Sequence, residues 1–432
     1  MASRVTDIRS SLIAFQARPD KVIGIGASIG NVRLPIHPAI LKQHKLSFGS
    51  ASPLENGIYA YSPTKGFPDT IATFKHIIHA SGFDTDRLDC VVTDGGSQAM
   101  DLVILGCCGE AGSGEKPLLL FDPAYTNYGT LANQYGRNIV TLSRNLESDG
   151  KFSMPTLKEV ETRLLADRPG ALVVIPYDNP TGSLFSKDYL IGLGKLAVKH
   201  NIWMVSDEAY RELSYQSTET VSIWGLTDET VPGIEGRRIS IETASKVWNA
   251  CGLRIGALVS DNPKFIQKAV AIKSPKLCSS VEGQWMFQGL LSESKQDLQS
   301  WFKHQRNHYA TLMTPVIEEF SEIVPDLIVS KPEAAIYSVL DVRNFPGLPP
   351  QFDARDFAMF CAESGSVPLA SSNGQVLRHT LLVAPMSGFY GRLPGRPNPG
   401  RTQIRISFVE SPEKLALIPA LFKQLLEDFI KM

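Results

Sequence analysis

Ser240–Gly256 reads SIETASKVWNACGLRIG, in which Lys246 comes just after an apolar strand-like run and Arg254 follows eight residues later. Outward from it, four further segments carry unusual residues: TDGGSQAMDL (Thr93–Leu102), DPAYTNY (Asp122–Tyr128), YDNPTG (Tyr177–Gly182) and SDEAY (Ser206–Tyr210). They sit among short apolar runs at 89–93, 118–121, 138–142, 171–175, 202–205, 238–241 and 255–259. Most of these runs are bounded by turn residues and separated by helix-length amphipathic segments such as 157–166 and 187–199. Strands alternating with helices predict an α/β architecture with a mostly parallel sheet. After about residue 300 the texture changes to a long charged helix (300–320), strand-like pieces at 327–330, 335–340 and 403–408, and a final helix at 412–431. This reads as a second, α+β unit. A length of 432 residues fits two compact units at about 150 residues or more each.

In their order along the chain these segments resemble the class I/II aminotransferases, the fold-type-I family of pyridoxal-phosphate (PLP) enzymes. The resemblance runs over most of the chain. It implies the PLP-dependent transferase fold type I, with a large cofactor-binding domain (51–310) around a seven-stranded, mostly parallel sheet. A smaller α+β domain would combine 1–50 with 311–432. The implied activity moves an amino group from an L-amino acid to a 2-oxo acid, through a Lys246 aldimine and the pyridoxamine phosphate form of the cofactor.

Such chemistry needs a lysine amine, an acid to keep the pyridine nitrogen protonated, a phosphate cradle and a flat group against the ring. Lys246 is similar to the family's Schiff-base lysine. Asp207 ends the apolar strand IWMV, so its carboxylate is expected at the carboxyl edge of the sheet, where α/β folds keep their ligand sites. Gly95 and Gly96 open an amphipathic helix after a strand, where free N–H groups and the positive helix end favour an anion. The resemblance assigns Gly96, Ser97, Gln98, Thr243 and Arg254 to the phosphate, Tyr125 to the ring face, and Tyr210 and Asn179 to the cofactor's phenolic oxygen. Arg405 in QIRISF corresponds to the clamp on the substrate α-carboxylate, with Gly26 and Asn179 near it. Tyr61 matches a tyrosine that reaches the phosphate of the neighbouring subunit, which implies a homodimer with shared active sites.

Gly24-Ile25-Gly26-Ala27-Ser28-Ile29-Gly30 imitates a dinucleotide fingerprint, but Ile29 occupies the third glycine position and no clear βαβ unit begins there. Two segments depart from the family pattern: Ala334-Ala335-Ile336-Tyr337 stands for a Gly-Ala-Phe-Tyr-like motif, and Pro385-Met386-Ser387-Gly388-Phe389-Tyr390-Gly391 leads into an unusual Gly/Pro/Arg-rich loop to Arg401. The distal arginine of the dicarboxylate-specific branch has no counterpart between Ser274 and Gln305. Lys276, Arg392, Arg396 and Arg401 are the other cations considered for that task. The same machinery serves PLP-dependent carbon–sulfur β-lyases, and a non-catalytic PLP-binding regulator is a further alternative.

Charged residues make up 20% of the chain and hydrophobic ones 43%, with net charge −1. That balance gives no electrostatic reason to expect nucleic acid or an anionic membrane as partner. Six scattered cysteines lack CxxC or zinc-ligand spacing and read as free thiols of a reducing compartment, with no metal site. The N-terminus has no apolar core of signal-peptide length, and no run reaches about 18 apolar residues, so a cytoplasmic protein is expected.

Overall fold

The computed structural model describes residues 6–50, 52, 54–110, 112, 114–216, 219–370, 375–391, 395 and 397–432. The seven central runs become strands Asp89–Thr93, Leu118–Asp122, Ile139–Ser143, Ala171–Val174, Trp203–Asp207, Arg238–Thr243 and Gly256–Ser260, all in one sheet. In space Asp89–Thr93 lies at one edge, followed by Gly256–Ser260, Arg238–Thr243, Trp203–Asp207, Ala171–Val174, Leu118–Asp122 and Ile139–Ser143. Gly256–Ser260 runs antiparallel to both neighbours, and the other pairs are parallel.

Alternate side chains of each strand enter opposite cores, as the period of two along a strand requires. Leu118, Leu120, Val173, Ile239 and Leu258 pack with Met100 and Val103 of the helix Gly95–Cys107 and with Phe265 of Pro263–Lys273. Leu119, Phe121, Leu172, Met204 and Val259 face the other core, with Leu190 and Leu193 of Lys187–Lys199 and Phe74 of Pro68–Ala80. Helices cover both faces, which is why these strands read as continuous apolar runs rather than as alternating ones.

The long helix extends over Lys295–Ile323, started by a Ser294–Asp297 capping box. Its buried residues Leu298, Phe302, Gln305, Tyr309, Leu312, Val316 and Phe320 fall three or four apart, forming one inward stripe. Beyond it, Ala384–Pro385, Gln403–Ser407, Tyr337–Asp341 and Ile328–Val329 form a four-stranded antiparallel sheet. A third sheet pairs Ile23–Gly26 and Val367–Ala370 with the central Val376–Leu382. The expected final helix is broken into Pro412–Leu415 and Ile418–Ile430. Pro419 lacks an N–H and its ring crowds the carbonyl of Leu415, so one continuous helix is unfavourable there.

Thr93, Gly256 and Thr243 lie side by side across three strands. A Cβ on Gly256 would stand 2.7 Å from both the Glu242 carbonyl oxygen and the Gly95 carbonyl carbon, so the backbones could not approach as they do. By contrast, nothing lies within 4 Å of a Cβ on Gly252. Gly256→Ala is expected to destabilise the protein by about 1–3 kcal/mol, the usual range for overpacking, whereas Gly252→Ala is close to neutral. Thermal unfolding of the two variants checks this.

Candidate active site

The carboxyl edge of the sheet begins with the turn into the helix Gly95–Cys107. Gly95 has φ +73°, and a Cβ there would lie 2.3 Å from Arg254 Nη2. Asp94 precedes the helix without a side-chain cap bond. Instead the Gln98 side chain turns back, its Oε1 accepting from the Asp94 N–H at 3.0 Å and its Nε2 donating to Asp94 Oδ2 at 3.3 Å. The first N–H groups of the helix thus have no side-chain cap, beside a guanidinium that donates to the carbonyls of Cys251 at 3.0 Å and Asp94 at 3.4 Å. Such an end attracts an anion such as phosphate. Thr243 Oγ1, 2.8 Å from Ser245 Oγ, stands next to it.

Asp207 ends Trp203–Asp207 and opens onto the same space. Its Oδ1 accepts the Ala209 N–H at 3.0 Å and its Oδ2 accepts the Tyr128 hydroxyl. Burial raises the Asp207 pKa above the ordinary carboxylate value, and the Tyr128 bond works against that rise. A carboxylate so enclosed is favoured in its ionised form by a cation placed opposite it. Tyr125 precedes the helix Thr126–Gln134, its ring 5.5 Å from that of Tyr128 and edge-on to it, and burial pushes its phenol up to about 12. Lys246 Nζ donates to the Gly30 carbonyl and lies 3.9 Å from Cys251 Sγ.

Arg405 comes from the four-stranded sheet and is buried. Its Nη1 donates to Asn179 Oδ1 at 2.9 Å and its Nη2 to the Ser28 carbonyl at 2.5 Å, while its Nε has no partner. The guanidinium carbon lies 4.3 Å from the Tyr337 ring centroid and 4.9 Å from that of Phe389. Tyr337 in turn shares a 2.7 Å hydrogen bond with the Tyr210 hydroxyl. Three other buried arginines are neutralised: Arg144 by Asp178 at 2.9 Å, Arg211 by Glu242 at 2.7 Å and Arg238 by Asp261 at 2.6 Å, whereas Arg137, away from the cavity, is held by the Tyr135 and Gly109 carbonyls. Among the described residues Arg405 has no carboxylate partner, so it carries a buried positive charge held by neutral acceptors and ring faces. An incoming carboxylate would satisfy it.

These groups wall one cavity of about 310 Å³. Every residue that the resemblance assigns to the cofactor or the substrate lines it except Gln98, Gly26 and Tyr61. The Gln98 side chain is engaged with Asp94, leaving its backbone N–H as its contribution to the helix end. Gly26 belongs to the Ile23–Gly26 strand and donates to Glu410 Oε1 at 3.3 Å in an adjoining cleft, and Gly30, further along the same segment, takes the place beside the cavity. Tyr61 is 77% exposed and away from this chain's own cavity. Of the alternative cations, Lys276 pairs with Asp101 at 3.2 Å and Arg401 donates to the Pro350 and Phe352 carbonyls. Neither lines the cavity, and Arg392 and Arg396 lie outside the described residues.

Sequence reasoning gave no role to Tyr128 or Arg9, which both line the cavity, and noted Tyr337 and Phe389 only as parts of departing motifs. Tyr128 was discoverable, because it falls three residues after Tyr125. The two departing segments turn out to supply the rings on either side of Arg405.

Tyr128→Phe removes the hydroxyl that favours ionised Asp207, so the folded-state pKa of Asp207 rises further. A function that needs the carboxylate is then lost at higher pH as the solution is acidified. The acid limb of the kcat/KM profile should move to higher pH in Tyr128→Phe, and an unmoved limb would contradict the coupling.

The family model described as aminotransferase class I and II matches residues 23–408. A probable aspartate/prephenate aminotransferase of Aquifex aeolicus is 24% identical over 356 residues, covering 80% of this chain and 84% of that protein. A single mutant of Thermus thermophilus aspartate aminotransferase superposes with a TM-score of 0.78 at 20% identity, covering 98% of this chain and 97% of that one. N-succinyldiaminopimelate aminotransferase from Mycobacterium tuberculosis gives a TM-score of 0.77 at 18% identity, covering 98% and 100%. With a family match that spans most of its length, the chain belongs to the class I and II aminotransferases, enzymes that use pyridoxal phosphate to transfer amino groups.

Proposed function

We propose that the cavity takes up an L-amino acid and a 2-oxo acid in turn, with Lys246 as the proton-transferring amine and Arg405 as the receptor for the substrate α-carboxylate. The observation that carries this reading is the convergence of Lys246, Asp207 and the uncompensated Arg405 on one cavity that also contains a glycine-lined helix end. The donor set fits pyridoxal phosphate. The helix N–H groups of Gly96, Ser97 and Gln98, with Thr243 and Arg254, suit its phosphate. Asp207 suits its ring nitrogen, Tyr125 its ring face, and Asn179 and Tyr210 its phenolic oxygen. When bound, the cofactor supplies an electron-withdrawing ring that acidifies the substrate Cα–H bond.

The protein's own groups do the rest. Arg405 fixes the α-carboxylate through two parallel hydrogen bonds, which orients the Cα–H toward Lys246. The Lys246 amine would take the Cα proton of a substrate held in this way and hold it for return during the transfer. Asp207, whose ionised form the Tyr128 hydroxyl favours, would balance positive charge on the ring nitrogen. Tyr337 and Phe389 hold the Arg405 guanidinium flat and limit water around it.

In the same proposal residues 51–310 form the cofactor domain, and 1–50 with 311–432 form the smaller one. The seven-stranded sheet lies wholly within the former, and the strands of the other two sheets lie wholly within the latter. The functional unit is a homodimer in which Tyr61 serves the partner's phosphate site. Phe48, Ile58 and Tyr59 are exposed near it in sequence, an apolar surface suited to a second copy. The assigned compartment is the cytoplasm, a reading supported by six free cysteines. No helix of the described residues is long and apolar enough to cross a membrane.

The decisive experiment mixes the PLP-loaded enzyme with single amino acids and follows absorbance and products without an acceptor. Stoichiometric keto acid with conversion of the cofactor to its amine form is expected, and Lys246→Ala should slow it at least about 100-fold. Continuous release of pyruvate and ammonia would instead make the enzyme a lyase. Co-expressing Tyr61→Ala with Lys246→Ala chains should recover activity that neither variant has alone, because one site of the hybrid dimer is intact. No recovery would remove the shared-site reading.

A further inference from the structure

Four cations line the cavity, Arg9, Lys246, Arg254 and Arg405, against one carboxylate, Asp207. The proposed function employs three of the cations and leaves Arg9 without a task. Arg9 lies on the helix Thr6–Gln16, and among the described residues it has no hydrogen-bond or ion-pair partner. The positions three and four residues further along are Leu12 and Ile13, so no helical neighbour neutralises it. Asp7, two residues away, does not share its face and feels Arg355 instead.

The placement of this helix is tied to the substrate site. Ile8 is buried and, with Leu12 packed beside it, joins a small core containing Phe389 and Tyr390. Phe389 is the ring whose centroid lies 4.9 Å from the Arg405 guanidinium carbon. The N-terminal helix thus shares a small core with the ring beside Arg405, and Arg9, the residue after Ile8, lines the cavity wall. Arg9 is exposed in the free cavity, whose wall also carries the apolar side chains of Ile8, Ile29 and Leu131; a ligand that fills it and excludes water strengthens a charge-assisted hydrogen bond there.

We infer that Arg9 receives the distal carboxylate of a dicarboxylic amino acid, of the four- or five-carbon acidic class, while Arg405 holds the α-carboxylate. This rests on the assignment of Arg405 given under the proposed function. It supplies the distal cation that is missing between Ser274 and Gln305, and it does so from within the same chain. Lys276 and Arg401 are already engaged elsewhere on the protein. A planar guanidinium suits the task because it meets both carboxylate oxygens at once.

The test uses holoenzyme and two readouts. In calorimetric titration, succinate, a non-reacting dicarboxylate, should bind wild type at least about 10-fold more tightly than butyrate, its monocarboxylate counterpart, the usual scale for a hydrogen bond to a charged group. Arg9→Gln should erase that preference and Arg9→Lys keep part of it. In steady-state kinetics, the ratio of kcat/KM for glutamate to that for norvaline should fall about 10- to 100-fold in Arg9→Gln. An unchanged succinate-to-butyrate ratio, or equal losses for glutamate and norvaline, overturns the inference. Failure of every amino acid to yield its keto acid would count against the proposed function, while succinate binding would still decide the role of Arg9.

Discussion

One antiparallel strand organises the site. Parallel strands bring their carboxyl ends to a common edge, and Thr93, Asp122, Asp207 and Thr243 all end there. Gly256–Ser260 enters between Asp89–Thr93 and Arg238–Thr243 in the opposite sense, so its beginning meets their ends. Whatever precedes that strand is thereby delivered to the edge. Arg254 is what precedes it, and the absence of side chains at Gly95 and Gly256 lets the backbones close up around the guanidinium. Lys246 occupies the connection between the same two strands and arrives at the same edge for the same reason.

Electrostatics then separates ligand sites from scaffold. Several buried arginines of the scaffold are matched by carboxylates, as Arg144 is by Asp178 and Arg238 by Asp261, while Arg137 is held by backbone carbonyls away from the cavity. Arg405 is matched by an amide, a carbonyl and two aromatic faces, which stabilise a cation without neutralising it. Asp207 is the complementary case, a carboxylate enclosed enough that burial raises its pKa, with a phenol, one backbone N–H and, last, the Lys246 charge working against that rise. Each is left short of an opposite charge, and both face one cavity. A ligand that carries a cation at one point and a carboxylate at another relieves both.

The sheet was legible because its strands are buried on two faces, and such strands write themselves as apolar runs. The residues at its carboxyl edge were legible too, since motifs such as SDEAY and NPTG are local. The Ile23–Gly26 strand was not. Its partner, Val376–Leu382, lies some 350 residues away in the chain, and its four residues carry no pattern of their own. Gly26 ends that strand beside Glu410 in the adjoining cleft, and Gly30 of the same segment is the one that lines the cavity. The break at Pro419 was readable in principle, but the amphipathic pattern around it masked the missing N–H.

The amino-acid sequence alone determined the layer architecture and put Lys246, Asp207 and the Gly95–Gly96 turn at strand ends, because each of these depends on neighbours within a few residues. Tertiary structure alone decided which charges remain unmatched and which side chains share a wall. Tyr337 and Phe389 flank Arg405 across a sheet and a turn, and Arg9 reaches the cavity from a helix whose Ile8 shares a small core with Phe389. Burial and pairing are properties of surroundings assembled from distant segments, and no local pattern of residues encodes them.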